Sequence, residues 1–299
     1  MIVVNGVSKS FGDILAVDNI TLDIKKGSVF GLIGTNGAGK STLLRLLCGI
    51  LAEDAGTVTI DGERVFENIA IKERCFYISD NQYFFSNCTP NDMRNYYADI
   101  YRKFDKNRFD SLLQSFGLNP KRKINTFSKG MKKQVSVICA VSAMTDYIFC
   151  DETFDGLDPV MRQAVKSIFA GDIADREMTP IIASHNLREL EDICDHIGLL
   201  HKGGMLLSHD LEDMKLGIHK IQAVFNEEIT RESFPSLEII SLDKRGSLYT
   251  IVVRGQEKEA AAALNSKNPV FMEILPLTLE EIFISETEVT GYDIKSLIV

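Results

Sequence analysis

Val29-Phe30-Gly31-Leu32-Ile33-Gly34-Thr35-Asn36-Gly37-Ala38-Gly39-Lys40-Ser41-Thr42-Leu43-Leu44-Arg45-Leu46-Leu47 is the stretch that decides the reading of this chain. Its first five residues form a short apolar strand candidate. Residues 34–41 fit the pattern G-x-x-x-x-G-K-[ST]. Residues 42–47 then carry leucines at helical spacing. Glycines let the backbone curl until successive N–H groups face a phosphate. The helix that opens at Lys40 adds the positive end of its dipole. Lys40 reaches the β- and γ-phosphates as a point charge, and the Ser41 hydroxyl is a small oxygen ligand for Mg²⁺. A strand, a glycine turn and a helix in that order point to a bound nucleoside triphosphate.

Outward from this turn, short apolar runs alternate with amphipathic ones as far as residue 217. Residues 57–60 read as a strand closed by Asp61-Gly62. Residues 91–103, 108–116, 129–144, 159–169 and 187–194 read as helices, and 147–150 and 180–184 as strands. Such alternation predicts a mostly parallel sheet covered on both faces. The pattern changes at Gly217-Ile218. Residues 221–225, 237–242, 248–253 and 270–275 have strand character, and 257–264 helical character. Thr278-Leu279-Glu280-Glu281 has capping-box spacing, which predicts a last short helix. The boundaries are thus 1–217 for an α/β nucleotide domain and 218–299 for a small C-terminal α+β domain.

Composition narrows the function. The chain has 299 residues, enough to bury roughly three quarters of its unfolded surface without metal or disulfide staples. Its 33 basic and 42 acidic residues give 33 − 42 = −9, which argues against nucleic acid or anionic lipid as a partner. No apolar run reaches the roughly 18 residues of a membrane span, and the start lacks the form of a secretory signal. No direct membrane insertion is expected. Six scattered cysteines, none in CxxC spacing, predict reduced, mostly buried thiols.

Two carboxylates sharpen the triphosphate reading. Asp151 closes the apolar run 147–150, where a carboxylate can hold Mg²⁺. Glu152 follows it and can orient and polarise an attacking water. With these in place, residues 1–217 resemble the ATP-binding subunit of an ABC transporter. Phe127-Ser128-Lys129-Gly130-Met131 resembles the family's signature motif, usually read LSGGQ; Ser128 and Gly130 match, while Lys129 and Met131 depart. Asp155-Gly156-Leu157-Asp158 resembles the D-loop, with Asp155 where Ser or Thr is common. His185 lies 185 − 151 = 34 residues beyond Asp151, where the family has its switch histidine.

The resemblance implies a P-loop NTPase fold of the ABC-ATPase type, with a helical subdomain at about 80–145. It implies ATP and Mg²⁺ as cofactors, and a homodimer or a heterodimer with another ABC ATPase. The implied nucleotide contacts are Phe11 on adenine, then Gly34, Thr35, Asn36, Gly37, Ala38, Gly39, Lys40, Ser41 and Thr42. Ser128, Gly130 and Asp158 are implied at the opposite copy's nucleotide. Glu152 and His185 are implied as catalytic, and Ser41 and Asp151 as metal-holding. Asp80 stands at the usual Q-loop glutamine position, with Gln82 two residues later, so either could serve there; Asp80 is the metal candidate. The aromatic stretches Tyr83-Phe84-Phe85 and Tyr96-Tyr97 are either subdomain core or a groove for a helix of a membrane subunit.

The terminal segment 277–283 resembles that of exporter-type ATPases of the bacitracin-resistance and acetoin-operon kinds. The implied function is an ATP-hydrolysing subunit that powers an exporter through an integral membrane permease on a separate chain, peripheral on the cytoplasmic face. Alternatives are a soluble ABC ATPase that remodels a non-membrane protein, and a P-loop GTPase or kinase. The last is disfavoured by the absence of an N-K-x-D motif.

Overall fold

The computed structural model describes residues 1–211 and 217–281. The chain divides into two compact units, Met1–Ser208 and His209–Val299. That division falls ahead of the 217/218 boundary expected from the sequence.

The first unit contains two sheets. Strands β1 (Ile2–Phe11), β2 (Ile14–Ile24), β4 (Ala55–Ile60) and β5 (Glu63–Arg64) form an antiparallel sheet in the order β2-β1-β4-β5. Of these four, only β4 is anticipated by the sequence reading. The second sheet has six strands: β3 (Phe30–Ile33), β6 (Cys75–Ile78), β7 (Tyr147–Asp151), β8 (Thr179–Ser184), β9 (His196–His201) and β10 (Gly204–Asp210), in the order β10-β9-β3-β8-β7-β6. The pairings β6/β7, β7/β8, β8/β3 and β3/β9 are parallel. Every residue of β3, β7 and β8 is buried, as strands covered on both faces should be. Lys202 and Gly203, at φ 46° and 86°, turn β9 into β10, a conformation that suits a two-residue hairpin.

Helix α1 (Lys40–Leu47) packs its leucines against both sheets, in one core with Ile2, Val4, Ile20, Leu32, Phe149 and Ile181. Helices α2 (Ile69–Lys72), α3 (Pro90–Ile100), α4 (Lys106–Ser115) and α5 (Lys129–Ser142) follow, then α6 (Pro159–Arg176) and α7 (Leu187–Glu191). Three of these helix ends depart from the expected bounds by three residues or more. Helix α3 stops at Ile100 because Tyr101 turns extended. Helix α6 runs past 169 to Arg176 and ends where Glu177 adopts φ 54°. Helix α7 ends at Glu191 rather than 194.

The second unit holds β11 (Ile218–Val224), β12 (Glu238–Arg245), β13 (Leu248–Arg254), helix α8 (Glu257–Asn265) and β14 (Phe271–Leu275). Its antiparallel sheet runs β12-β13-β11-β14. Ile221, Ala223, Tyr249, Ile251 and Val253 meet Ala260 and Leu264 of α8 in a separate core. The Thr278–Glu281 capping box is formed: the Thr278 N–H donates to the Glu281 carboxylate, and the Glu281 N–H donates to the Thr278 hydroxyl. Ile282 and Phe283 of the terminal segment lie outside the described residues. Among the described residues no helix is long and apolar enough to cross a membrane.

Candidate active site

In an open parallel sheet, ligands bind beyond the carboxyl ends of the strands. Here β3, β8 and β7 lie side by side, so the segments that leave them converge. The loop 34–39 leaves β3, Glu152 follows β7, and His185 follows β8.

The curl of the glycine loop is fixed from outside. Gly39 has φ 105°, and a Cβ there would lie 2.3 Å from the Ala16 carbonyl of β2. A Cβ on Gly34 would lie 2.5 Å from the Leu200 carbonyl of β9. Only glycine allows these approaches. The loop opens α1 with no side-chain cap, which leaves the helix N–H groups facing the loop. Asn36 and Gly37 are exposed at its tip, Ala38 is buried, and Thr35, Ser41 and Thr42 are half-buried.

Lys40 is 6 % exposed and is held at three points. Its ammonium donates to the Gly34 and Thr35 carbonyls at 2.7 and 3.2 Å, and lies 3.3 Å from Glu152 Oε1. The other Glu152 oxygen lies 2.9 Å from His185 Nδ1. Glu152 itself stands at φ 47°, an unusual conformation for a residue with a Cβ. Its N–H donates to the Ala183 carbonyl at 3.0 Å, and its own carbonyl accepts from the Lys133 ammonium.

Beside this trio, the Ser41 hydroxyl donates to Asp151 Oδ1 at 2.9 Å, and the Tyr77 hydroxyl donates to Oδ2 at 2.8 Å. Arg45 Nε donates in turn to the Tyr77 hydroxyl at 3.3 Å. Burial, with the Asp151 charge added, pushes the Tyr77 phenol well above its ordinary value, so it stays a donor. Its bond to Tyr77 raises the already high Arg45 value further. The Ser41 and Asp151 oxygens are the hard donors that Mg²⁺ takes.

The other expected residues lie elsewhere. Phe11 is exposed at the tip of the β1/β2 hairpin, whose second strand crosses the glycine loop at Ala16. Ser128 caps α5 by accepting the Met131 N–H at 3.2 Å. Gly130 sits against Gly156, with its Cβ position 3.4 Å from the Gly156 carbonyl. Lys129 pairs with Asp155 at 3.6 Å, and Asp158 caps α6 through the Val160 and Met161 N–H groups at 3.0 Å. These residues make a second cluster, joined to Lys40, Ser41 and His185 by no hydrogen bond or ion pair among the described residues.

The structure separates the two Q-loop candidates. Gln82 folds back, its amide donating to the Ser79 and Asp80 carbonyls at 3.1 and 2.9 Å. Asp80 lies with its carboxylate 3.7 Å from the Lys133 ammonium, and no hydrogen bond or ion pair among the described residues joins it to Ser41 or Asp151.

The aromatic stretch is divided between packing and exposure. Tyr97 packs on Phe76 at 5.1 Å, while Tyr83, Phe85 and Tyr96 are exposed and meet edge-to-face. The six cysteines are all free and buried. Burial pushes the Cys48 and Cys150 thiols up to about 12.

Sequence reasoning assigned no role to Tyr77, Arg45 or Lys133. Lys133 carries a signal that a helical wheel reveals. It shares the stripe of Val137, Ala140 and Val141, all fully buried, so a lysine is embedded in an apolar face.

A model of the ABC transporter family matches residues 17–155. The ABC transporter ATP-binding protein YtrB of Bacillus subtilis (strain 168) is 30% identical over 286 residues, 96% of this chain and 98% of the relative. The chain belongs to the ABC transporter ATP-binding proteins. As members of that family are ATPases, this ABC protein is an ATP-binding enzyme that hydrolyses ATP. It is also similar to the bacitracin transport ATP-binding protein BcrA of Bacillus licheniformis, 31% identical over 212 residues, 70% of this chain and 69% of that one. A solved structure described as the ATP binding subunit of an ABC transporter matches with a TM-score of 0.66 at 25% identity, covering 72% of this chain and 92% of that one. The match of this ABC ATPase to YtrB extends into the second unit.

Proposed function

We propose that this ABC ATPase powers an exporter whose membrane-spanning part is a separate permease chain. The observation that carries the catalytic half is the Glu152 carboxylate set between Lys40 at 3.3 Å and His185 at 2.9 Å, beside the Ser41–Asp151 pair. Lys40 exchanges its loop carbonyls for the β- and γ-phosphates. The N–H groups of residues 34–42 cradle those phosphates, and Phe11 stacks on adenine. Ser41 and Asp151 hold Mg²⁺, which neutralises charge on the phosphates. Glu152 orients the attacking water and accepts its proton, and His185 fixes the rotamer of Glu152.

The cluster of Ser128, Gly130 and Asp158 serves the nucleotide of an opposite copy or of a second ABC ATPase. ATP bound from both sides closes the dimer, and its hydrolysis opens it. The exposed Tyr83, Phe85 and Tyr96 receive a helix of the permease, which holds the chain on the cytoplasmic face of the membrane. A role in transport is supported by the likeness to BcrA, named for bacitracin transport, and the outward direction by the resemblance of segment 277–283 to exporter-type ATPases.

The test is Glu152→Gln. The variant should bind ATP, run as a dimer on gel filtration with ATP, and turn over roughly 10²–10⁴ times more slowly than the unaltered protein. A variant that stays monomeric with ATP, or hydrolyses at the ordinary rate, overturns the reading. Purification from membranes with an attached permease tests the partner.

A further inference from the structure

Lys133 is the one lysine whose side chain is fully buried among the described residues, and nothing in the cycle above uses it. A buried ammonium is expensive. A methionine, one atom shorter, would occupy most of the slot without desolvation of a charge, and such replacements are often neutral or stabilising. Burial pulls the Lys133 pKa down, against the pull of Asp155, Asp80 and Glu152 and with the help of Lys129.

What the ammonium reaches is informative. It donates to the main-chain carbonyl of Glu152, the residue held at φ 47°. The N–H of Glu152 is anchored on β8 through Ala183, so Lys133 closes the second of its two backbone anchors. With both ends of the residue tied, its carboxylate has a fixed origin from which to reach Lys40 and His185. The same ammonium faces the Asp80 carboxylate at 3.7 Å, in the segment that leads from β6 to the exposed Tyr83. One buried cation on α5 thus touches the backbone of the catalytic carboxylate and the stem of the aromatic surface.

We propose that Lys133 is a positioning residue that sets the Glu152 carboxylate and ties its placement to Asp80. This rests on the assignment of Glu152 as the water-activating group and adds the element that aims it. A shift of Asp80, when the aromatic surface is engaged, moves the ammonium and with it the carbonyl of Glu152. The link is between a surface and the reacting atoms, and it needs no contact with nucleotide.

Steady-state ATP hydrolysis by the full chain tests this through the split between kcat and KM. Lys133→Met should lower kcat by roughly 100-fold, the order expected of a misplaced catalytic group, with KM for ATP within about twofold. Lys133→Gln, which keeps an N–H donor for the Glu152 carbonyl, should recover about tenfold of that loss. Asp80→Ala, at a carboxylate 43% exposed, should lower kcat several-fold in the unaltered background and not at all in the Lys133→Gln background, with urea denaturation confirming that each variant is folded. That loss of additivity separates coupling from any direct role of Asp80 at the nucleotide.

The proposal is overturned if Lys133→Met keeps full kcat. If Lys133→Met does not fold, it is overturned by an Asp80→Ala effect of the same size in both backgrounds. Glu152→Gln run alongside separates the two claims. If that variant is inactive while the Lys133 and Asp80 variants are unimpaired, this inference fails alone. If Glu152→Gln retains turnover, the catalytic assignment beneath it fails.

Discussion

Lys40 is the residue at which ATP has to compete. Its ammonium already has two carbonyls and a carboxylate, so phosphate binding is an exchange of partners, not an addition. All three present contacts are already charge-assisted, so what a triphosphate adds is a larger negative charge and the N–H groups of the loop beside it. Lys40→Ala should raise the dissociation constant for ATP by at least about tenfold, the equivalent of ~1.4 kcal/mol, in a calorimetric titration. An unchanged constant would remove Lys40 from the phosphate site. Tyr77→Phe tests the other side. It leaves one oxygen of the buried Asp151 short of its donor, so a stability loss of about 1–3 kcal/mol is expected in urea denaturation, together with a higher Mg²⁺ requirement. Equal midpoints for the two proteins would show that the hydroxyl is not needed. Lys40, Ser41, Asp151 and Glu152 could be singled out from sequence because phosphate chemistry demands fixed residue types in short motifs, and the structure brings the four together. Tyr77 and Lys133 could not be, since they act across 151 − 77 = 74 and 152 − 133 = 19 positions and belong to no local pattern.

At the scale of elements, patterning found some strands built on short apolar runs and missed others. β3, β7 and β8 were found, while β6, Cys75–Ile78, is equally apolar and was not. β1 and β2 were missed although their buried residues alternate in part. Their pairing shifts register between Val4 and Val7, again to Lys9 and again to Ser10, and each bulge breaks the two-residue period that marks a strand. The Q-loop segment was ambiguous because Asp80 and Gln82 both have the right chemistry, and only their directions distinguish them. The aromatic ladder that follows gives a prediction at this scale. Replacing Tyr83 and Tyr96 together with alanine should leave ATP turnover within about twofold, since the two residues are 81% and 41% exposed and pack on neighbouring aromatics. The same double variant should no longer retain the permease through purification. Retention of the permease by a folded variant would assign the ladder to packing.

The molecule as a whole consists of two units, each with a core of its own. Calorimetry should resolve two transitions, and Mg²⁺-ATP at about a hundred times its dissociation constant should stabilise one of them by ~2.7 kcal/mol. A single transition that moves with ATP would show the units to be one cooperative body. The sequence reading divides the chain at 217/218, where the apolar pattern changes, while the compact units part at 208/209, within β10. The net charge of −9 disfavours direct binding to anionic lipid. The cysteines have a practical corollary. The thiolate is the form that reacts with maleimides, and six buried thiols present almost none of it. A single cysteine introduced at an open position such as Ile69, which is 76% exposed, would take a fluorophore alone. The opening and closing of the ATPase could then be watched in real time without first removing any native sulfur.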